Sequence, residues 1–599
     1  MSIFRRLAYS ILLANAVLVL GAGLGFLLGI TFGIWWWALY LAGAAWGAFI
    51  PHGNSNSRRD VSGFILALAL HGALLLVACG LASRFLDVGW DSLETHQRAV
   101  RLISEGWNII DPEPGWINGQ PEEGILRKAP SVYHDYLDFN AMYVVSSLMG
   151  DLPFGYEGAK GYRILLLIMV GILVADLLRR AGFRRGVSAA TGFFVAANPV
   201  GLYQLWVLFM DFDVAVYSTL SIVALYALSL RGDRRAVWVA LTALLLLLVS
   251  KRSGLAFAVP LGGMLFLWCI AAKMGWWRGT GSPSAASRTL HWPRFLQSRR
   301  SRFVAGGVGL MAVIACVGVF GGIGGKGQSR DGGYYSLGFI YRAVFEPDDF
   351  DRNLDLVVPE SHAGLSRPVQ FVRSLVEETG ILRGGSPKMP LTWEPEEWET
   401  FRNIHWPGHG SGGFGPLFSG VLFLSLLAWG LTWLPFPPAL SAGSVFRGGL
   451  FFLLIGICML LPSWWARWVP FVWILPLFFL LPPFFLHPHD KPQSRLLLAG
   501  RNYWLPSLCA GLALLCAGIN SVILFAISTE ETLRVTQSIE AGLEAVAGQE
   551  VILDPGRNLM TKSWLIERGI DYRLSEERGA LIFEMEPSTA RLYQPSVSQ

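Results

Sequence analysis

The fold class that this sequence predicts is a polytopic α-helical membrane protein of about thirteen transmembrane helices, and three observations carry it. Long apolar runs recur along most of the 599 residues, and a helix needs about 20 such residues to cross a bilayer. Only 15% of the residues are charged while 53% are hydrophobic; a soluble enzyme carries roughly a quarter charged. With thirteen spans, the basic residues of the short connections all fall on one side, as the positive-inside rule requires. A single large soluble core would not produce so many runs of this length.

The chain opens "MSIFRRLAYSILLANAVLVLGAGLGFLLG". The order of charge and then apolar run is that of a signal peptide. The run is too long for a cleaved one, so it reads as an uncleaved first helix. Two spans, centred near residues 19 and 40, fill an N-terminal unit of residues 1–60. Further spans centre near 71, 170, 196, 221, 243, 263, 313, 426, 454, 476 and 514, within a core of residues 61–529. Two long polar segments interrupt that core, at about 84–158 and 324–416. "GTGSPSAAS", at 279–287, is a flexible linker.

Arg5 and Arg6 precede the first span, Arg58 and Arg59 lie between the second and third, and Arg179, Arg180, Arg184 and Arg185 lie between the fourth and fifth. This side is cytoplasmic, so both long loops and the C-terminus face the other way. The expected location is a multi-pass inner (plasma) membrane protein, N-terminus cytoplasmic and C-terminus extracytoplasmic. All six cysteines sit inside apolar runs, so no loop disulfide is expected. Residues 530–599 read as a small extracytoplasmic α/β domain: "TLRVTQSIEAGLEAVA" has helical spacing, "EVILDP" and "ALIFEM" read as strands, and "MTKSWLIERG" reads as a helix ended by Gly569.

Four stretches combine charge with a membrane boundary. The first is "WDSLETHQRAVRLISEGW", directly after "VSGFILALALHGALLLVACGLA". Leu93, Val100 and Ile103 fit a helix along the outer membrane surface. Asp91 is a candidate general base at the lip of a membrane cavity, with Glu94 three residues on and His96 beyond it. The plain alternative is a surface helix whose charges meet water. The second is "LLLLLVSKRSGLAFAVPL", where Lys251 and Arg252 occupy a tight outer turn that the charge rule disfavours for bases. A lipid phosphate is the natural partner there, and snorkelling to headgroups is the competing reading. The third is "LPSWWARWVPFVWILPL", with Arg467 among Trp464, Trp465 and Trp468. Interfacial tryptophans are ordinary; a lone outer arginine, whose planar fork suits phosphate, is less so. The fourth is "LFMDFDVAVYS", with Asp211 and Asp213 at a span mouth, placed either to bind a sugar or cation or simply to begin a helix.

Acid after an early span, a lysine at the start of a later one, and an arginine–aromatic–proline run near the end together resemble the GT-C superfamily of membrane glycosyltransferases. The similarity is nearest to the lipid-carrier-dependent members, such as protein O-mannosyltransferases and aminoarabinose transferases. "WDSLETHQRAV" is similar to the acidic first-loop pattern "WDSxxYH", "VSKRSGLAFAVP" to "LTKxxxxxxxP", and "ARWVPFVWILP" to "xRYxxPxxPxL". The likeness covers about residues 65–520, in the same order and on the same membrane side. Thr95 and Trp468 depart from it where tyrosine is usual, two spans precede the usual first one, and "GGKGQSRDGGYYSLG" and "NIHWPGHGSGGFGPLF" have no counterpart.

The resemblance implies a GT-C-like core and a glycosyltransferase that moves a sugar from a polyprenyl-phosphate carrier to a glycan, lipid or protein acceptor on the extracytoplasmic face. It implies catalytic roles for Asp91 and Glu94, donor-phosphate binding by Lys251 and Arg467, and sugar or acceptor contacts from His96, Asp211 and Asp213. No cofactor, metal ligand set or nucleic-acid partner is indicated, although a divalent cation is compatible with the chemistry. The competing classes are a transporter or flippase of a lipid-linked sugar, which favours repeated halves and mid-membrane charges, and a non-catalytic envelope-assembly protein.

Overall fold

The computed structural model describes residues 2–50, 57–89, 92, 96–109, 139–273, 359–363, 365–380, 385–403, 413–433, 442–460, 463, 465–485, 504–553, 565, 568–574, 580–585 and 590–594. The helices are α1 (Ser2–Leu27), α2 (Trp35–Phe49), α3 (Ser57–Ala82), α4 (Gln97–Ser104), α5 (Ala141–Gly150), α6 (Tyr162–Ala181), α7 (Arg185–Ala196) and α8 (Met210–Arg231). They continue with α9 (Arg234–Leu248), α10 (Arg252–Lys273), α11 (Arg367–Ser374), α12 (Pro395–Arg402), α13 (Phe418–Trp433), α14 (Ala442–Leu460), α15 (Leu475–Phe485) and α16 (Trp504–Ala545). Among the described residues, six helical segments are long and apolar enough to cross a membrane: Ile3–Leu27, Val61–Ala82, Gly155–Ala181, Met210–Arg231, Ser253–Ala272 and Trp504–Ala545. Five further apolar helices have 10–17 residues. Thirteen full-length spans are therefore not reached among the described residues, and the run centred near 313 lies outside them.

The centre of the bundle is α8. Every residue from Met210 to Ser229 is buried, because α8 packs against α6, α9, α10 and α14. Its sequence explains its ends. Asp211 and Asp213 occupy the first turn, where the helix dipole favours acid, and Arg231 the last, where it favours a base. Gly232 then takes a left-handed conformation at φ 64° and stops the helix. Asp233 starts α9 at once by accepting a hydrogen bond from the Arg235 N–H. At the other edge, α1 and α2 touch backbone to backbone. A Cβ on Gly47 would stand 2.2 Å from the Tyr9 carbonyl oxygen, so only glycine permits that approach.

Four elements differ from the sequence expectation. The polar segment 84–158 contains α5, whose residues Ala141–Met149 are all buried. Ten residues are too few for a span, and α5 is paid for by packing against α4 instead. That contact also corrects the reading of "QRAVRLIS" as a bilayer-surface helix. Ala99, Val100, Leu102 and Ile103 are buried within the protein, and the Ser147 hydroxyl donates to the Val100 carbonyl. The run centred near 196 is not one span: α7 stops at Ala196, and Asn198 caps a separate short helix, Pro199–Tyr203. Finally, "TLRVTQSIEAGLEAVA" belongs to α16, a single 42-residue helix that runs uninterrupted across residue 530.

Beyond α16 lies a four-stranded sheet of order β2-β1-β4-β3, with β1 Val551–Leu553, β2 Tyr572–Leu574, β3 Ala580–Met585 and β4 Ala590–Gln594. β1 pairs parallel to β2, with Val551 opposite Tyr572; the other two pairings are antiparallel. The helix read in "MTKSWLIERG" lies outside the described residues except for Leu565, Arg568 and Gly569.

Candidate active site

Three charged side chains from distant parts of the chain meet at one end of α8. The Lys251 ammonium, in the turn between α9 and α10, donates to Asp211 Oδ1 at 2.6 Å. Arg467, in a short turn at Ala466–Trp468, brings Nη1 to 3.9 Å from Asp211 Oδ2. The carboxylate is nearly buried, while Lys251 and Arg467 keep 19% and 12% of their side-chain surface exposed. The cluster therefore opens on its cationic side. Indole faces line it: the Lys251 Nζ stands 5.4 Å from the Trp468 ring centre, and the Arg467 guanidinium carbon 5.3 Å from that of Trp465. Such faces attract cations in their own right.

Backbone contacts explain why these segments converge. Asn140 caps α5 by accepting from the Tyr143 N–H, and the same turn grips two parts of the site. The Ala141 N–H donates to the Val249 carbonyl at 2.8 Å, two residues before Lys251, and Asn140 Nδ2 lies 3.3 Å from Met210 Sδ, next to Asp211. Arg163 is wholly buried. Its guanidinium donates to the carbonyls of Gln204, Val207 and Phe209, and its ζ carbon stands 4.8 Å from the Phe212 ring centre. One arginine thus satisfies three carbonyls of the segment that enters α8 and fixes where Asp211 begins. The third segment is held by Asn198, whose Nδ2 donates to the Pro470 carbonyl at 3.0 Å, and by Trp473, whose Nε1 donates to the Phe194 carbonyl at 2.8 Å.

The first loop arrives at the same place. Asp87 is buried, and its carboxylate accepts from the Gly89 N–H, the Ser92 hydroxyl and the Leu208 N–H. The Asp87 N–H in turn donates to Glu157, which pairs with the buried Lys160; Lys160 also donates to the Phe85 carbonyl. Gly89 lies so close to Phe209 that a Cβ there would stand 2.5 Å from the ring. Asp91 and Glu94 lie outside the described residues, but Gly89, Ser92 and His96 on either side of them are fixed.

His96 is buried, with Nδ1 2.8 Å from the Tyr143 hydroxyl and its ring edge-on to Phe209. Burial, and then the Lys251 charge, hold its imidazole at a pKa of about 3, and the charges of Asp211 and Arg467 reach it as well. His96 is therefore neutral and adjacent to the cluster. Asp213 is not part of it: its Oδ2 accepts from the Tyr162 hydroxyl at 2.8 Å, deeper in the bundle. Among the described residues, no group of three or more His, Cys, Asp or Glu side chains is arranged to hold a metal ion.

Sequence reasoning missed Arg163, Asp87, Glu157 and Lys160. Their one available signal was an ionisable residue at the edge of an apolar run, as in "GAKGYRILLLIMV", which demands a buried partner.

No protein-family model matches the chain, and none of the curated proteins matches it. Among solved structures, the chain is similar to the apo form of an oligosaccharyltransferase from Archaeoglobus fulgidus, at 15% identity and a TM-score of 0.33. That match covers 83% of this chain and 59% of the other, so the chain spans less than two thirds of that protein's length.

Proposed function

We propose that this protein is a membrane glycosyltransferase of GT-C type that transfers a sugar from a polyprenyl-phosphate carrier to an acceptor hydroxyl on the extracytoplasmic face. The observation that carries this reading is the convergence of Lys251, Asp211 and Arg467 at an opening walled by Trp465 and Trp468. Two cations from separate turns, spaced by one carboxylate, suit a phosphodiester at the edge of a bilayer. Arg467 presents two parallel donors and Lys251 a point charge, a pairing that can hold one phosphate on two sides.

In this reading the carrier's tail stays in lipid while its head group enters the opening. The acceptor oxygen attacks the anomeric carbon as the bond from that carbon to the phosphate oxygen breaks. The electron pair leaves with the phosphate, and Lys251 and Arg467 stabilise the charge that grows there. The acceptor proton passes to a carboxylate, for which Asp91 is the candidate, with Glu94 second. Asp91 lies between Gly89, pressed against Phe209, and Ser92, bonded to Asp87. Both flanks are thereby tied to the segment that leads into Asp211. His96, neutral and buried beside the cluster, suits a sugar hydroxyl rather than proton transfer. Asp211 spaces the cations, and Asp213 is structural.

The test is chemical. Purified protein supplied with a polyprenyl-phosphate sugar and an envelope extract as acceptor should release polyprenyl phosphate. Sugar moved across vesicles with its phosphate bond intact would favour a flippase instead. Neither release nor movement, with several lipid-linked sugars tried, would leave the assembly role.

A further inference from the structure

Helix α11 is inside out. Its protein-facing side carries Gln370 and Ser374, and Glu377 follows on the same side; all three are buried. The Gln370 amide donates to the His362 carbonyl at 3.0 Å, and Glu377 stands 3.2 Å from His362 Nε2 and 3.3 Å from Arg373 Nε. The outward side carries Val369, Val372 and Val376, at 50%, 56% and 36% exposure. A helix beside water places valines inward and glutamine outward; this one does the reverse, with phenylalanine Phe371 its only large apolar residue turned in.

The apolar surface continues past the helix. The Lys388 N–H donates to the Val376 carbonyl at 2.9 Å, which sets Met389, 73% exposed, beside Val376. Leu391 follows, 44% exposed and held at φ +70°, a conformation costly for a leucine. Its side chain lies directly against Gly420 in the first turn of α13. Helix α11 itself lies against α14. Both α13 and α14 are apolar helices that turn large side chains outward, Phe423 on one and Phe452 on the other. The patch is thus continuous with the apolar outer surfaces of α13 and α14.

We infer that α11 and the Met389–Leu391 turn form a shelf that enters the bilayer leaflet at the Phe418 end of α13. The occupant of the patch is lipid. This inference rests on α13 and α14 being membrane-embedded, and it is independent of glycosyl transfer. It accounts for the reversed polarity of α11: the buried Gln370 and Ser374 side chains donate to the His362 and Phe371 carbonyls within the protein, and the valines meet acyl chains. It also accounts for a strained leucine at the surface, since the left-handed turn directs Leu391 onto the span.

Val372→Cys and Met389→Cys should be made singly in the full chain with its six native cysteines replaced, labelled with a nitroxide and placed in lipid nanodiscs. Collision with oxygen, which partitions into lipid, should exceed collision with a water-soluble nickel chelate at both sites, as it should for Phe452→Cys on α14. A nickel preference at both sites, matching Glu399→Cys on the exposed face of α12, would place the patch in water and overturn the shelf. Exclusion of both reagents would mean that protein, from this chain or a second copy, covers it, and would overturn it equally. Both sites are exposed, so neither substitution disturbs the core.

Discussion

Lys251 and Arg467 lean on one carboxylate, and that decides how each substitution should act. Asp211→Asn removes the negative charge between two cations, so bare polyprenyl phosphate should bind a few-fold more tightly while turnover falls, because the cations lose their spacing; a titration run beside a rate assay checks both. Asp91→Asn keeps the shape of the side chain and removes its basicity. If Asp91 is the base, turnover drops by about two to four orders of magnitude with donor binding intact, and Glu94→Gln costs less. Near-normal turnover in Asp91→Asn with loss in Glu94→Gln would move the base three residues along the chain. Burial holds the His96 imidazole at a pKa of about 3, so it stays neutral from about pH 5 to 8 and His96→Gln should leave the shape of the pH–rate profile unchanged across that range; a lost acidic limb would refute its neutrality. Lys251, Arg467 and Asp211 were legible in the sequence as charges at span mouths. That Asp211 joins the cations and Asp213 does not was hidden, since residues two apart point to opposite sides of a helix and nothing in "MDFD" says which side faces the opening.

At the scale of elements, the site depends on buried polar staples that hold turns rather than on the helices themselves. Gly89→Val would drive a side chain into Phe209; it should abolish turnover and lower thermal stability while helical content by circular dichroism is kept. Arg163→Met leaves three carbonyls without their donor, each at a cost of about 1–3 kcal/mol when buried, and Arg163→Lys should recover only part of the loss because an ammonium cannot span all three. Unchanged stability in Arg163→Met would mean that the segment before α8 is held by other contacts. The long apolar runs declared α1, α3, α8 and α10 plainly. Helix α5 was not legible because ten residues in a polar neighbourhood resemble a loop, and its helical state depends on the α4 face it covers. The break between α7 and Pro199 was hidden for the opposite reason: "TGFFVAANPVGLYQLWVLF" is largely apolar, and Asn198 and Pro199 mark the interruption.

At the scale of the molecule, orientation comes first. Single cysteines at Gly332 and Gly556, positions outside the described residues, should both react with an impermeant maleimide in whole cells if the long loop and the C-terminal segment share the outer face; opposite responses would break the span count between them. Part of the acid stability follows from two imidazoles buried outside the membrane-spanning helices. His96 and His362 are held at about 3 and about 4, each chiefly by burial, against an ordinary 6.5. The unfolded chain binds their protons first, so stability should be full above about pH 6.5 and decline as pH falls towards 4. His362→Gln should flatten part of that decline; an unaltered acid profile would exclude His362 as a contributor.

The most direct test is whether the cation pair holds a lipid phosphate. Short-chain polyprenyl phosphate titrated into detergent-solubilised protein can be followed by its ³¹P resonance. Native protein should shift and broaden that signal to saturation, Arg467→Lys should weaken the binding in part, and the Lys251→Ala, Arg467→Ala double variant should leave the free signal unchanged. Saturable binding of equal affinity in a folded double variant would contradict the placement of the phosphate between Lys251 and Arg467.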